Sequence, residues 1–211
     1  MIPLRIKQTH CTAYTAQTFI VEADILDSFQ ASASYYEVAI NNKAYPVLSI
    51  HENKLKLLSS EQTLPQTLSL VPKSISIEDP ELIITDSNGL IIASHLLLKH
   101  QKQWQAKRLL LISNYQENTL FKPRPSQIMV SSIPPYAIAS VPLWEDLGFA
   151  SRLCHPDHPG CYDESPLSLS QRLKSSDSEI ESLLLIGDFS EELDQWDKEF
   201  PCFNYWSVKL S

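Results

Sequence analysis

The sequence predicts a small antiparallel β domain followed by a larger α/β domain built on a parallel sheet. Three observations carry this. Residues 1–76 hold short runs rich in β-branched and aromatic side chains and no stretch with a helical period. After Pro72, short apolar runs alternate with helical segments, as in parallel strands joined by crossovers. The 211 residues, 43% of them hydrophobic, suffice for two cores. The domains are accordingly read as 1–76, a small β-barrel-like domain, and 77–211, an α/β domain.

In the first domain, Phe19–Ala23 and Tyr35–Ile40 read as strands, and Asn41-Asn42-Lys43 as the turn after the second. Tyr45–Ile50, Lys54–Leu58 and Thr67–Val71 supply further short strands, which suits a small, partly open barrel or a sandwich. In the second domain, Leu82–Thr85 is a wholly apolar strand closed by Thr85, of the type buried on both faces. Asp86-Ser87-Asn88-Gly89 breaks it, and Leu90–Gln103 reads as a helix. Arg108–Ser113 and Gln127–Val130 read as the next strands, and Tyr136–Leu147 as helical at least in part. Ser151–Cys154 is a short strand, Pro166–Ser175 a helix, Leu183–Ile186 a strand, Ser190–Glu199 a helix and Phe203–Val208 a last strand. There is no internal repeat, and Ser175–Glu179 reads as an exposed polar loop.

Charge and composition narrow the function. A formal net charge of −8 disfavours nucleic acid and anionic lipid as partners. The apolar runs Leu109–Ile112 and Leu183–Ile186 are far too short to span a bilayer. The opening Met1–Gln8 is broken by charges and does not read as a secretory leader, so a cytoplasmic location is expected. Four cysteines, at 11, 154, 161 and 202, are too few and too irregular for a disulfide framework. Only four glycines stand against fourteen prolines, which describes stiff turns rather than loops that cradle phosphate.

The densest functional-looking segment is Cys154-His155-Pro156-Asp157-His158-Pro159-Gly160-Cys161. Thiols, imidazoles and a carboxylate are transition-metal ligand types. The spacing matches no standard zinc module and two prolines stiffen the loop, so an ordinary strand-end loop is preferred and no metal is expected. Because it follows a predicted parallel strand, the loop stands at the edge where α/β sheets place ligands, which makes Cys154, His155, His158 and Cys161 pocket candidates. A cysteine nucleophile there stays open. His95 and His100 do not share a helix face and read as packing or surface residues, while His10 and His51 are isolated. Glu145-Asp146 has the composition of an acid/base pair, but adjacent helical carboxylates usually face water. Glu191-Glu192 suit the start of a helix. Trp104, Trp144, Trp196 and Trp206, with Phe200, Phe203 and Tyr205, read first as core, and near the C-terminus also as a face for a protein partner.

The C-terminal half resembles the ferredoxin-reductase-like superfamily, nearest to electron-transfer subunits of dihydroorotate dehydrogenase and to NAD(P)H–flavin reductases. Ser132-Ile133-Pro134, Pro142–Gly148, Ser151-Arg152-Leu153 and Pro159-Gly160-Cys161-Tyr162 carry the likeness. It covers about residues 80–190, and the N-terminal part only by size and strand content. The resemblance implies a flavin-binding barrel, a nicotinamide-binding α/β domain and FAD or NAD(P) as cofactors.

The chain departs from that pattern in four places. Where the family's barrel carries Arg-x-x-Ser, this chain has Pro46-Val47-Leu48-Ser49, which keeps Ser49 and loses the arginine. The glycine-rich turn is Asp86-Ser87-Asn88-Gly89. The late Cys-Gly-Pro turn is Ile186-Gly187-Asp188, which keeps only Gly187. The closely grouped cysteines that hold an iron–sulfur cluster are missing. Two functions stay open: a divergent flavin- or nicotinamide-linked reductase or electron-transfer subunit, and a non-catalytic binding or accessory module on the same fold. The second is favoured by the lost motifs, and a metal-binding protein centred on Cys154–Cys161 trails both. At the turn, Asp86 puts a negative charge about where pyrophosphate would sit. Two unit charges roughly 4 Å apart repel by about 4 kcal/mol at an effective dielectric near 20, on the order of a thousandfold in affinity.

Overall fold

The computed structural model describes residues 2–13, 19–26, 35–41, 43–51, 53–60, 62–73, 79–87, 89–105, 108–116, 121–176, 180–187, 189 and 204–208. The chain divides into two compact units, Met1–Ile77 with Leu210–Ser211, and Glu78–Lys209. The predicted helix Ser190–Glu199, with Trp196, and Phe200, Cys202, Asn88 and Asp188, lie outside the described residues.

The first unit is a closed six-stranded antiparallel barrel. Its strands are β1 (Ile2–Ala13), β2 (Phe19–Ile25), β3 (Tyr35–Ile40), β4 (Lys43–His51), β5 (Lys54–Ser59) and β6 (Thr67–Lys73), in the order β1-β2-β5-β4-β3-β6. Alternation fills the interior: Val21, Ala23 and Ile25 of β2, Val38 and Ile40 of β3, Leu55 and Leu57 of β5, and Leu68 and Leu70 of β6 share one buried cluster. Asn41 turns the β3–β4 hairpin at φ 51°, a conformation asparagine tolerates better than most residues. β1, the longest strand, has no counterpart in the sequence reading. Ile2–Arg5 pair with β6, and from Ile6 onward it pairs with β2 across a register shift between Ile6 and Gln8. Ile2, Leu4 and Ile6 alternate with Pro3, Arg5 and Lys7, but the outer half is largely exposed and carries no such apolar alternation.

The second unit centres on a five-stranded parallel sheet of β7 (Leu82–Thr85), β8 (Leu110–Asn114), β11 (Ala150–Cys154), β12 (Ser182–Ile186) and β13 (Asn204–Val208), in the order β11-β8-β7-β12-β13. Leu82, Ile84, Leu110, Ile112, Leu183 and Leu185 face one core, with Leu167, Leu169 and Leu173 of helix α3 (Pro166–Ser176). The alternate residues Ile83, Leu111 and Leu184 are equally buried, as a sheet covered on both faces requires. Helix α1 (Gly89–Trp104) packs against β7 and β12. No helix among the described residues is long and apolar enough to cross a membrane.

One sequence expectation fails between β8 and β11. Gln127–Val130 is not a strand. Side chains take its backbone groups: the Gln127 N–H donates to Glu145 and the Ile128 N–H to Ser126 Oγ, while Ile128 O accepts from Arg152. With those groups committed locally, no ladder forms. Within Tyr136–Leu147 only α2, Pro142–Asp146, is helical. Pro142 has no N–H to donate and stands in the first turn, where that costs nothing. Ahead of it, β10 (Ala139–Ser140) pairs with β9 (Arg124–Pro125) in a two-stranded ribbon.

Candidate functional site

The carboxyl ends of the parallel strands collect most of the residues singled out from the sequence. Asp86 follows β7 and Gly187 follows β12, and the N-terminus of α1 lies between them. By its hydrogen bonds Asp86 is the N-cap of that helix: its Oδ1 accepts the Gly89 N–H at 2.5 Å and its carbonyl accepts the Leu90 N–H at 3.1 Å. Its own N–H donates to Ile186 O at 3.3 Å. Ser87 is buried beside it.

Both retained glycines serve this packing. A Cβ on Gly89 would stand 1.9 Å from Ile186 O. One on Gly187, at φ +143°, would stand 2.4–2.7 Å from the Asp86 carboxylate atoms. The Ile186 carbonyl and the Asp86 carboxylate lie close against these two glycines. A dinucleotide pyrophosphate at this turn would compete with the Asp86 cap. Its anionic oxygens would need the N–H that Asp86 already holds and would meet a like charge. Where the resemblance puts a flavin, Ser49 of β4 pairs with Lys56 of β5, just past a register shift, and its side chain lies outside the described residues. Pro46 stands where the resemblance puts an arginine.

The loop from Cys154 to Cys161 is closed by backbone bonds. Tyr162 N–H donates to Leu153 O, His155 N–H to Tyr162 O, and Cys161 N–H to His158 O. Gly160, at φ +80°, makes the turn. His155 and His158 stand with their ring centroids 6.1 Å apart, and both contact the Tyr115 ring, at 6.0 and 4.7 Å. His158 Nδ1 lies 3.7 Å from Cys161 Sγ, and His155 Nδ1 accepts the Asp157 N–H. Among the described residues no three His, Cys, Asp or Glu side chains converge as a metal site would require. Both thiols are buried, and burial pushes the Cys161 thiol up to about 11 and the Cys154 thiol higher still, with Cys161 adding to the latter. A raised thiol works against nucleophilic activation, which favours the thiolate. In a Cys202→Ser background, a thiol-specific disulfide reagent at about pH 8 is expected to modify exposed Cys11 at once, and Cys154 and Cys161 only on unfolding. Rapid modification of a second thiol in the folded protein would contradict this.

Tyr115, which braces both histidines, carries no motif and is not evident from sequence. Nor is the role of Glu145. The expectation that Glu145 faces water is wrong: its side chain is 2% exposed and accepts from Ser126 Oγ, Gln127 N–H and Ser151 N–H, beside Arg152. Donors that converge from two separate segments, 126–127 and 151–152, satisfy a carboxylate that would otherwise stay in water. Asp146 is exposed and pairs with Arg124. His100 stacks on Trp104 at 4.9 Å, and Trp144 Nε1 donates to Ser94 Oγ, so these residues serve packing.

No known protein family and no curated protein matches the sequence. Solved structures do. The cytochrome P-450 reductase of Amycolatopsis superposes with a TM-score of 0.64 at 10% identity, over 99% of this chain and 70% of that one. The FAD/NAD-binding domain of a nitric oxide dioxygenase from Vibrio cholerae gives 0.59 at 9% identity, over 98% of both chains. A siderophore-interacting protein of Acinetobacter baumannii gives 0.56 at 11% identity, over 100% of this chain and 92% of that one. This chain thus shares their two-part fold, a barrel unit followed by an α/β unit.

Proposed function

We propose that this chain, on a fold shared with flavin- and nicotinamide-linked reductases, works as a non-catalytic binding or accessory module whose dinucleotide position is closed from within. One observation carries the reading: the Asp86 carboxylate caps α1 and lies against Gly187, at the turn where the resemblance puts a pyrophosphate. The missing barrel arginine at Pro46 and the Gly187-Asp188 turn support it. Under this reading a protein partner is expected, with the C-terminal aromatic residues Phe200, Phe203, Tyr205 and Trp206 as its candidates from sequence; their side chains lie outside the described residues.

Calorimetric titration with NADH and with NADPH tests the proposal. No saturable heat is expected below about 1 mM. A micromolar dissociation constant, with NADH-dependent dye reduction, would restore the reductase. The visible spectrum of freshly purified protein reads flavin directly, and a flavin band would count against the module. Asp86→Ala, run beside the wild type, is expected to lose about 1 kcal/mol of stability with its helix cap.

A further inference from the structure

At the opposite edge of the sheet, the amino ends of β7, β8 and β11 border a cavity of about 180 Å³. Leu109, Leu110 and Leu173 are its buried walls, with Val130 and Ala150 half-buried beside them. Arg108 and Ser131 are exposed at its rim, where Arg108 Nη2 donates to Ser131 Oγ at 3.0 Å. Glu81 also borders it, but its Oε2 accepts the Glu181 and Ser182 N–H groups at 2.6 and 3.1 Å, which directs that charge to the backbone entering β12. Lys174 adds a second cation nearby, donating to Ile180 O. Glu181 is exposed on the same side.

We infer that this cavity is a binding site for a single-ring aromatic carboxylate. An apolar cavity of about 150 Å³ admits a benzene ring, so this one takes one ring and is too small for a nucleotide. The walls are hydrocarbon, which suits the ring. The guanidinium at the rim is a planar fork of donors matched to a carboxylate. The site lies at the edge away from Asp86, so it goes beyond the proposed function: the nucleotide titrations and the following test fail or succeed separately.

The probe is benzoate, titrated into the intact chain and followed by saturation-transfer NMR and thermal shift, with benzyl alcohol as the uncharged control. Benzoate is expected to bind saturably. Arg108→Gln is expected to weaken it about tenfold or more while leaving benzyl alcohol unchanged. Val130→Trp, which fills the cavity, is expected to abolish both. Absence of saturable benzoate binding up to about 10 mM, or benzoate binding indifferent to Arg108→Gln, overturns the assignment. The Arg108→Gln comparison decides the matter even where Val130→Trp does not fold.

Discussion

Glu145→Ala is expected to cost about 3–5 kcal/mol, the range for breaking a buried ion pair by removing one partner. Glu145 Oε1 accepts Ser126 Oγ at 2.7 Å and the Ser151 N–H at 3.1 Å, and Oε2 accepts the Gln127 N–H at 3.1 Å. Arg152 Nη1 lies 3.9 Å from Oε1, on a side chain only 6% exposed. Burial lowers the arginine's proton affinity and the Glu145 charge works against that loss. Alanine would leave the guanidinium buried with only the Ser151 and Ile128 carbonyls to hold it, and would leave the Gln127 and Ser151 N–H groups without this acceptor. Urea unfolding followed by Trp144 fluorescence measures the cost. The double variant Glu145→Leu/Arg152→Met is expected to recover part of it, because a matched apolar pair leaves no stranded charge. A loss under about 1 kcal/mol for Glu145→Ala would show that the carboxylate is dispensable.

Gly89→Ala is expected to be at least as damaging, at about 3 kcal/mol or more, with loss of soluble protein as the first sign. The added methyl would sit 1.9 Å from Ile186 O and 2.7 Å from the carbonyl carbon, and strand backbone has little room to move. Gly148→Ala is the control. There φ is +86°, but the nearest outside atom is the Gln105 side-chain amide at 3.4 Å, so the cost is backbone strain of about 1 kcal/mol. Equal urea midpoints for the two variants would mean that α1 shifts away from β12 without penalty. The glycine that the sequence reading took as the last remnant of a phosphate loop is thus required by the contact between helix and strand.

Where apolar pattern decided the structure, the sequence was readable. Leu82–Thr85 and Leu183–Ile186 are four-residue runs buried on both faces, and nothing but a central parallel strand accommodates them. Polar side chains decided the structure elsewhere, and there the reading failed. Gln127–Val130 looks like a strand by composition, yet Ser126, Glu145 and Arg152 claim backbone groups of Gln127 and Ile128, and Met129 is 95% exposed. Of those partners Glu145 and Arg152 come from about twenty positions away, beyond any local window. The same limit applies at the site. Asp86 was legible as a charge beside a helix start, but its contact with Gly187 joins segments about a hundred residues apart. Tyr115 and the two histidines meet only because β8 and β11 are neighbours in the sheet.

The strand that closes the barrel also fixes when the barrel can form. Ile2 pairs with Leu70 and Leu4 with Leu68, so the first residues of the chain wait for partners made more than sixty residues later. Until β6 leaves the ribosome, β1 has β2 on one side and an open hydrogen-bonding edge on the other. Contacts of such long sequence separation slow folding. The nascent N-terminal unit therefore passes through an unclosed sheet during synthesis, and in that interval its β1 edge is available to chaperones or to other strands.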